Sequence, residues 1–168
     1  VCRFPILRVK SITSRSAFER CESIPIRRAG RSSVLKVTMP DPRLEAAYRA
    51  TDYVVDAPAG RIVIHIDEIA TIDADSWAFL TACNPMSVPL TPAENDARMT
   101  ELERPLVAGG HRFGRGAGVS RVGDWPPEPS FLVFDIEETS AVALARGFDQ
   151  AAIVFARRGE PARLVWVN

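Results

Sequence analysis

The sequence of 168 residues is poor in four residue types, with two histidines, three cysteines, two tyrosines and only two lysines, Lys10 and Lys36. So few histidines give little support to a zinc site. Three cysteines cannot close a disulfide framework, which favours a reducing, cytoplasmic setting. No apolar run approaches the roughly 18 residues that cross a bilayer, and the N-terminus lacks the apolar segment of a secretory signal. We therefore expect a cytoplasmic protein with no membrane partner.

The net charge is zero, but it is unevenly distributed. Residues 1–38 carry nine basic and two acidic side chains (+7), so the remaining chain, with twelve basic and nineteen acidic side chains, carries −7. The basic segment has little periodicity, and we expect no stable fold there. It fits a transit-like extension, a nucleic-acid-binding arm, or sequence upstream of a true start at Met39, and the late first methionine favours the last. An acidic domain over residues 39–168 disfavours nucleic acid as a partner unless residues 1–38 are genuine.

Three helices are predicted from capping signals and apolar periodicity. Residues 41–42 (Asp-Pro) suit the N-cap and first position of a helix. Residues 91–94 (Thr-Pro-Ala-Glu) predict a second helix that begins with a capping box, and Pro105 should end or kink it. A third helix is expected over residues 139–146, where Gly147 stops it.

Six or seven strands are predicted from short apolar runs between turn signals. The clearest are residues 61–66, 77–83, 131–134 and a hairpin of residues 151–156 with 163–167. The glycine- and proline-rich residues 111–129 are expected to form a short strand and a long loop. Because several neighbouring strands are joined by short turns, the predicted fold class is α+β, a single domain with a mostly antiparallel sheet and about three helices packed on it.

Residues 79–98 are expected to form the floor of any pocket. Asn84-Pro85 ends the preceding strand, because the residue before a proline avoids helical geometry. Asn95 opens the core-facing side of the following helix, where its amide must find hydrogen-bond partners. The turn at Asn84 is placed to provide them.

Several segments of the chain resemble, in order, motifs of the uncharacterised bacterial DUF3293 family: residues 47–53, 81–87, 94–98, 125–133 and 147–152. The resemblance covers roughly residues 46–155. The family motif often has an aromatic residue before Asn-Pro, where this chain has Cys83, so the floor of the pocket differs in shape. No activity is established for the family, and the resemblance therefore implies a common fold without a particular chemistry.

The candidate site consists of polar residues at strand ends, a helix start and a long loop, which is where ligand sites gather. Glu128 is the candidate acid or base, because Trp125 and two prolines beside it should exclude water and raise its pKa. The alternative is that these residues have structural roles in turns, helix starts and salt bridges, for example between Arg98 and Glu94 or Glu101. The predicted ligand-binding residues are Asn84, Ser87, Asn95, Arg98, Trp125, Glu128 and Ser130.

Arginine is dense between Arg98 and Arg121, with five arginines against two glutamates. Such a stretch suits a phosphate or carboxylate, although a solvated surface is the simpler interpretation. Residues 114–118 are rich in glycine but lack the Gly-Lys-Ser/Thr ending of a phosphate-binding loop.

Metal and nucleophile chemistry find little support in the sequence. His65 with Asp67 makes at most half a metal site. A triad of Ser87 or Ser130 with His111 lacks the Gly-x-Ser-x-Gly elbow. We predict no metal and no cofactor.

The leading hypothesis is a cytoplasmic domain that binds a small anionic ligand or a peptide in a polar pocket. The alternatives are a small hydrolase or transferase that uses Glu128 with Arg98, and a protein-interaction subunit without a pocket. The sequence has no decisive catalytic motif and leaves open whether the protein is an enzyme.

Overall fold

The computed structural model describes residues 41–57 and 60–167. The predictions made for residues 1–38 lie outside this range. No helix in the described part of the chain combines the length and apolar character needed to cross a membrane.

Three α-helices form within the described residues, and the first two begin at the predicted capping signals. Helix α1 spans Pro42–Arg49, with the Asp41 side chain accepting from the Arg43 N–H. Helix α2 spans Pro92–Ala108 and begins with the full capping box between Thr91 and Glu94. Helix α3 spans Glu138–Gly147.

Of the two predicted effects of Pro105, the ending of α2 is wrong, because the helix continues to Ala108; a kink there stays a prediction. Proline lacks an N–H and so leaves only the carbonyl one turn earlier without its helical partner. That carbonyl belongs to Glu101, an exposed residue. The next turns are intact, since the N–H of Gly109 still donates to the Pro105 carbonyl at 2.9 Å.

The strands of the described residues form one seven-stranded sheet in the order β2-β1-β4-β5-β3-β6-β7, with every neighbouring pair antiparallel. The α+β architecture is therefore confirmed. Strand β5 lies between β4 and β3, so the sheet brings together segments that are distant in the chain. The strands are β1 Thr51–Ala57, β2 Gly60–Ile64, β3 Ser76–Leu80, β4 Phe113–Ser120, β5 Glu128–Phe134, β6 Ala152–Arg157 and β7 Arg163–Trp166.

Each face of the sheet has its own hydrophobic core. Successive side chains of a strand point to opposite faces. In β5, Phe131 and Val133 therefore pack with α2 and α3, whereas Leu132 packs with Tyr53 and Phe79 on the other face. We call the face that α2 and α3 cover the helical face, and the opposite face the cavity face. The same alternation places Glu128 and Ser130 on the cavity face.

Strand β4 is longer than the predicted short strand, because its glycines conceal it from propensity rules. Gly116 is required by close packing. A Cβ at that position would overlap the Val54 carbonyl oxygen and lie 3.1 Å from Phe79 Cζ. Glycine thus allows β1 and β4 to approach over the cavity-face core.

Candidate functional site

A cavity of about 300 Å³ opens on the cavity face of the sheet. Helix α1 borders it with Leu44, Ala47 and Tyr48, and the strands contribute Tyr53, Phe79, Gly118 and Ser130, among others. Five of the seven predicted ligand-binding residues line it: Asn84, Ser87, Trp125, Glu128 and Ser130. The volume lies at the lower end of the range for small-molecule sites.

Glu128, the first residue of β5, is a half-buried carboxylate in the wall of this cavity. Burial raises its pKa above the ordinary value of 4.5, and a hydrogen bond from Asn84 opposes that shift. It is the only Asp, Glu, Lys, Arg or His among the described residues that line the cavity. The predicted rise in the pKa of Glu128 is thus confirmed in direction, with desolvation as the cause.

Asn84 holds the Glu128 carboxylate in place. Its Nδ2 donates to Glu128 Oε2 at 2.6 Å, and its Oδ1 accepts from the Leu90 N–H and from Asn95 Nδ2, each at 3.0 Å. Asn95 Oδ1 in turn accepts from the Asn84 N–H at 3.0 Å. The expected bond between Asn95 and the Asn84 turn is confirmed. Asn95 itself does not line the cavity, so it acts on the site by fixing Asn84.

The turn at Asn84 has unusual backbone geometry. Asn84, Met86 and Ser87 all have positive φ, at 47°, 50° and 60°, although none of them is glycine. Such conformations cost about 1–3 kcal/mol each and persist where the surroundings fix them. The Asn84–Asn95 bonds and a bond from the Met86 N–H to the Asp149 carbonyl at 2.9 Å do so here. The turn places the Ser87 side chain at the cavity.

Both tyrosines of the chain line the cavity, and sequence reasoning missed them as site residues. Burial raises the pKa of Tyr48 to about 12, the Glu128 charge adds to the rise, and a hydrogen bond with Ser87 lowers it. Burial, Tyr48 and Glu128 also raise the pKa of Tyr53, whose hydroxyl donates to the Tyr48 carbonyl at 3.0 Å. Both phenols are therefore neutral at physiological pH. Two features of the sequence could have identified these tyrosines as site residues: the chain has only two of them, and both lie within one of the DUF3293-like segments.

Arg98 does not belong to this cavity, and the expected Arg98–Glu128 pair does not form. Its Nε donates to the Ala82 carbonyl and its NH2 group to the Phe148 carbonyl, each at 2.6 Å. The physical reason is the alternation of β5. Helix α2 packs on the helical face, whereas Glu128 points to the cavity face. Arg98 therefore ties α2 to the ends of β3 and α3.

The other arginines of the 98–121 stretch do not assemble an anion site either. Arg115 binds Glu103, Arg112 binds Asp135 and the Asp73 carbonyl, and Arg121 binds Asp52. None of the five arginines in this stretch lines the cavity. Most of these guanidinium groups therefore already bind acceptors within the protein.

The two histidines also lie away from the cavity. His65 bonds Asp52 at 2.9 Å and Glu68 at 3.1 Å, and the Glu68 bond is the main reason that its pKa is raised. Ser87 and Ser130 line the cavity and His111 does not, so the predicted triad residues do not share one site. Within residues 41–57 and 60–167, no three His, Cys, Asp or Glu side chains are grouped so as to hold a metal ion.

Cys83 is a buried thiol beside the site. Burial raises its pKa to about 11, so the reactive thiolate is scarce at neutral pH. The carbonyl of Cys83 accepts from Gln150 Nε2 at 2.8 Å. Gln150 is itself buried and lines the cavity, and this bond fixes the end of β3 against the start of β6.

A second recess, of about 430 Å³, lies on the helical face between α2 and β4. Its Arg115 donates to both oxygens of Glu103, at 2.9 and 2.8 Å. Since its central charges neutralise one another, this recess offers less to a ligand than the cavity does.

The family model DUF3293, a protein of unknown function, matches residues 80–153. This range runs from the last residue of β3 into β6, and it contains the Asn84 turn, Trp125 and Glu128. The family resemblance seen in the sequence is confirmed over residues 80–153, whereas the predicted segment 47–53 lies outside the match. No curated protein and no solved structure matches the chain.

Proposed function

We propose that this DUF3293 protein is a binding domain, and that a small organic molecule occupies the cavity with a hydrogen-bond donor directed at Glu128. The observation that carries the proposal is the half-buried Glu128 carboxylate in a cavity of about 300 Å³. Among the described residues its one hydrogen bond comes from Asn84, at Oε2. A carboxylate in low-dielectric surroundings is costly without partners. A hydrogen-bond donor on the ligand would give the Glu128 carboxylate a second partner.

The lining also supports a largely apolar ligand body. Tyr48, Tyr53, Phe79 and Trp125 bring four aromatic rings to the cavity. Trp125 is 43% exposed and Val122, another lining residue, is 61% exposed. Exposed apolar side chains at the mouth of a concave site are typical of a ligand-binding surface.

The other hypotheses have less support. A hydrolase or transferase that pairs Glu128 with Arg98 would lack its guanidinium, because two backbone carbonyls hold it. An anionic ligand would meet Glu128 and no basic lining residue. An interaction subunit without a pocket does not account for the cavity. A cytoplasmic location agrees with the buried free thiol of Cys83, and a bacterial source stays an expectation from the family resemblance.

The test is ligand-induced thermal stabilisation, since a ligand that binds only the folded state raises the melting temperature. A library of small amines, alcohols, amides and organic acids would be screened against the wild type, Ala47→Phe and Ala46→Phe. Both alanines are exposed on α1, but only Ala47 borders the cavity. Compounds should stabilise the wild type and Ala46→Phe and fail with Ala47→Phe. A library without any stabilising compound, or one whose effects Ala47→Phe leaves unchanged, would contradict the proposal.

A further inference from the structure

Resting on the proposed function, we infer that the cavity selects organic cations: molecules with a positively charged nitrogen placed against Glu128 and a compact apolar body among the aromatic rings. The first argument is charge. Glu128 is the only acidic or basic side chain among the described lining residues, and no described arginine or histidine forms an ion pair with it. A buried carboxylate without a protein counter-ion is stabilised by a cation that the ligand brings.

The second argument concerns hydrogen bonds. Asn84 donates to Oε2 of Glu128, and among the described residues Oε1 accepts no hydrogen bond. Neither phenol of the cavity is seen to serve Oε1, since the Tyr53 hydroxyl donates to the Tyr48 carbonyl and the Tyr48 phenol bonds with the Ser87 side chain. An ammonium N–H directed at a carboxylate oxygen makes a charge-assisted bond, which is roughly twice as strong as a neutral one. Oε1 is therefore the acceptor that an ammonium group would use.

The third argument is the aromatic lining. Rings of Tyr48, Tyr53, Phe79 and Trp125 line the same cavity as Glu128. Electron-rich ring faces attract cations, and the attraction grows when water is excluded. Residues 39–168 carry a net charge of −7, which the +7 of residues 1–38 offsets, so the charge that selects the ligand is the local one of Glu128.

The experiment compares three probes of one shape and different charge: benzylamine, benzyl alcohol and benzoate. Binding would be followed at neutral pH by chemical-shift changes of Tyr48, Tyr53 and Trp125 at millimolar probe concentrations. Benzylamine should bind about tenfold tighter than benzyl alcohol, because its ammonium adds charge–charge attraction to a hydrogen bond that both probes can donate to the Glu128 carboxylate. Benzoate should bind weakest.

Two variants then test whether Glu128 causes the preference. Glu128→Gln keeps an oxygen for the Asn84 bond and removes the charge, so benzylamine should lose about tenfold in affinity, and benzyl alcohol, which loses only a charge-assisted hydrogen bond, should lose clearly less. Glu101→Gln removes an exposed charge on α2 and should leave both affinities unchanged. Equal binding of benzylamine and benzyl alcohol, or an amine preference that survives Glu128→Gln, overturns the inference and leaves the proposed binding function intact. Failure of all three probes, together with a library that yields no ligand, overturns both.

Discussion

Asn84 and Glu128 are 44 residues apart in the chain and 2.6 Å apart in space, where the amide of one donates to the carboxylate of the other. The bond joins the strained turn after β3 to the first residue of β5. It exists because β5 inserts beside β3 in the sheet. The site therefore depends on strand order, and Asn84 is itself held by two hydrogen bonds with Asn95 on α2.

Arg98 should matter for stability. Arg98→Ala removes two hydrogen bonds to backbone carbonyls and the contact of the guanidinium with the Phe148 ring. We expect a loss of about 2 kcal/mol in the free energy of unfolding, measured by chemical denaturation. Arg104→Ala, an exposed position on the same helix, should change it by less than about 0.5 kcal/mol. Equal effects of the two variants would show that the carbonyl bonds contribute nothing.

Glu128→Gln should stabilise the protein at neutral pH. The pKa of Glu128 is raised in the folded state, so its favourable contribution is complete below the ordinary value of 4.5 and is lost as pH rises through the raised value. Glutamine does not ionise. The titratable groups facing Glu128 are Tyr48, Tyr53 and Cys83, and all three stay neutral over this range.

Chemical denaturation at several pH values measures this effect. The advantage of Glu128→Gln over the wild type should grow from acid to neutral pH, and Glu101→Gln should show no such trend. A wild type that is the more stable protein at neutral pH would mean that the Glu128 carboxylate has a counter-ion.

The tyrosine absorbance should report on the cavity directly, because the chain has only two tyrosines and both line it. In the folded protein, little tyrosinate should form near pH 10. In the Tyr53→Phe variant, a single transition near pH 12 should belong to Tyr48. The protein in denaturant is the control, and both phenols should then titrate near their ordinary value of 10. A folded-state transition at pH 10 would show that the phenols are in contact with bulk water.

Gly116→Ala should destabilise the protein by about 1–3 kcal/mol or prevent folding, since its Cβ would overlap the Val54 carbonyl oxygen. Gly147→Ala is the matched control. No heavy atom lies within 4 Å of a Cβ built at Gly147, and alanine in a helix is favoured over glycine. The free energies of unfolding of the two variants should therefore move in opposite directions. Similar values would mean that β1 and β4 separate at no cost.

Local signals were sufficient for the parts of the fold that depend on local chemistry. Three such features are the Thr91–Glu94 capping box, the Asp41 cap and the bond between Asn95 and Asn84. In each of them the bonded residues are less than a dozen positions apart in the sequence. Glu128 was found because the proline-rich approach to β5 predicted a desolvated carboxylate. These features need no knowledge of strand order.

The remaining features depend on tertiary structure. Arg98 and Glu128 are separated because α2 packs on the helical face of the sheet and the Glu128 side chain points to the cavity face. No local sequence pattern contains that information. Tyr48 and Tyr53 sit on adjoining elements whose periodicity suggested only core packing. Their place at the cavity follows from α1 lying over the same face of the sheet as Glu128 and Ser130.

Gly118 gives the cavity a wall of bare main chain. Gly118, unlike Gly116, has space for a side chain. An added Cβ would contact only Thr51 Cγ2 at 3.4 Å, an ordinary van der Waals distance. Alanine or serine at Gly118 would therefore shorten the cavity without disturbing the sheet. The side chain at position 118 therefore sets the length of the cavity, and larger side chains there would restrict it to smaller ligands while Glu128 and its hydrogen bond with Asn84 stay as they are.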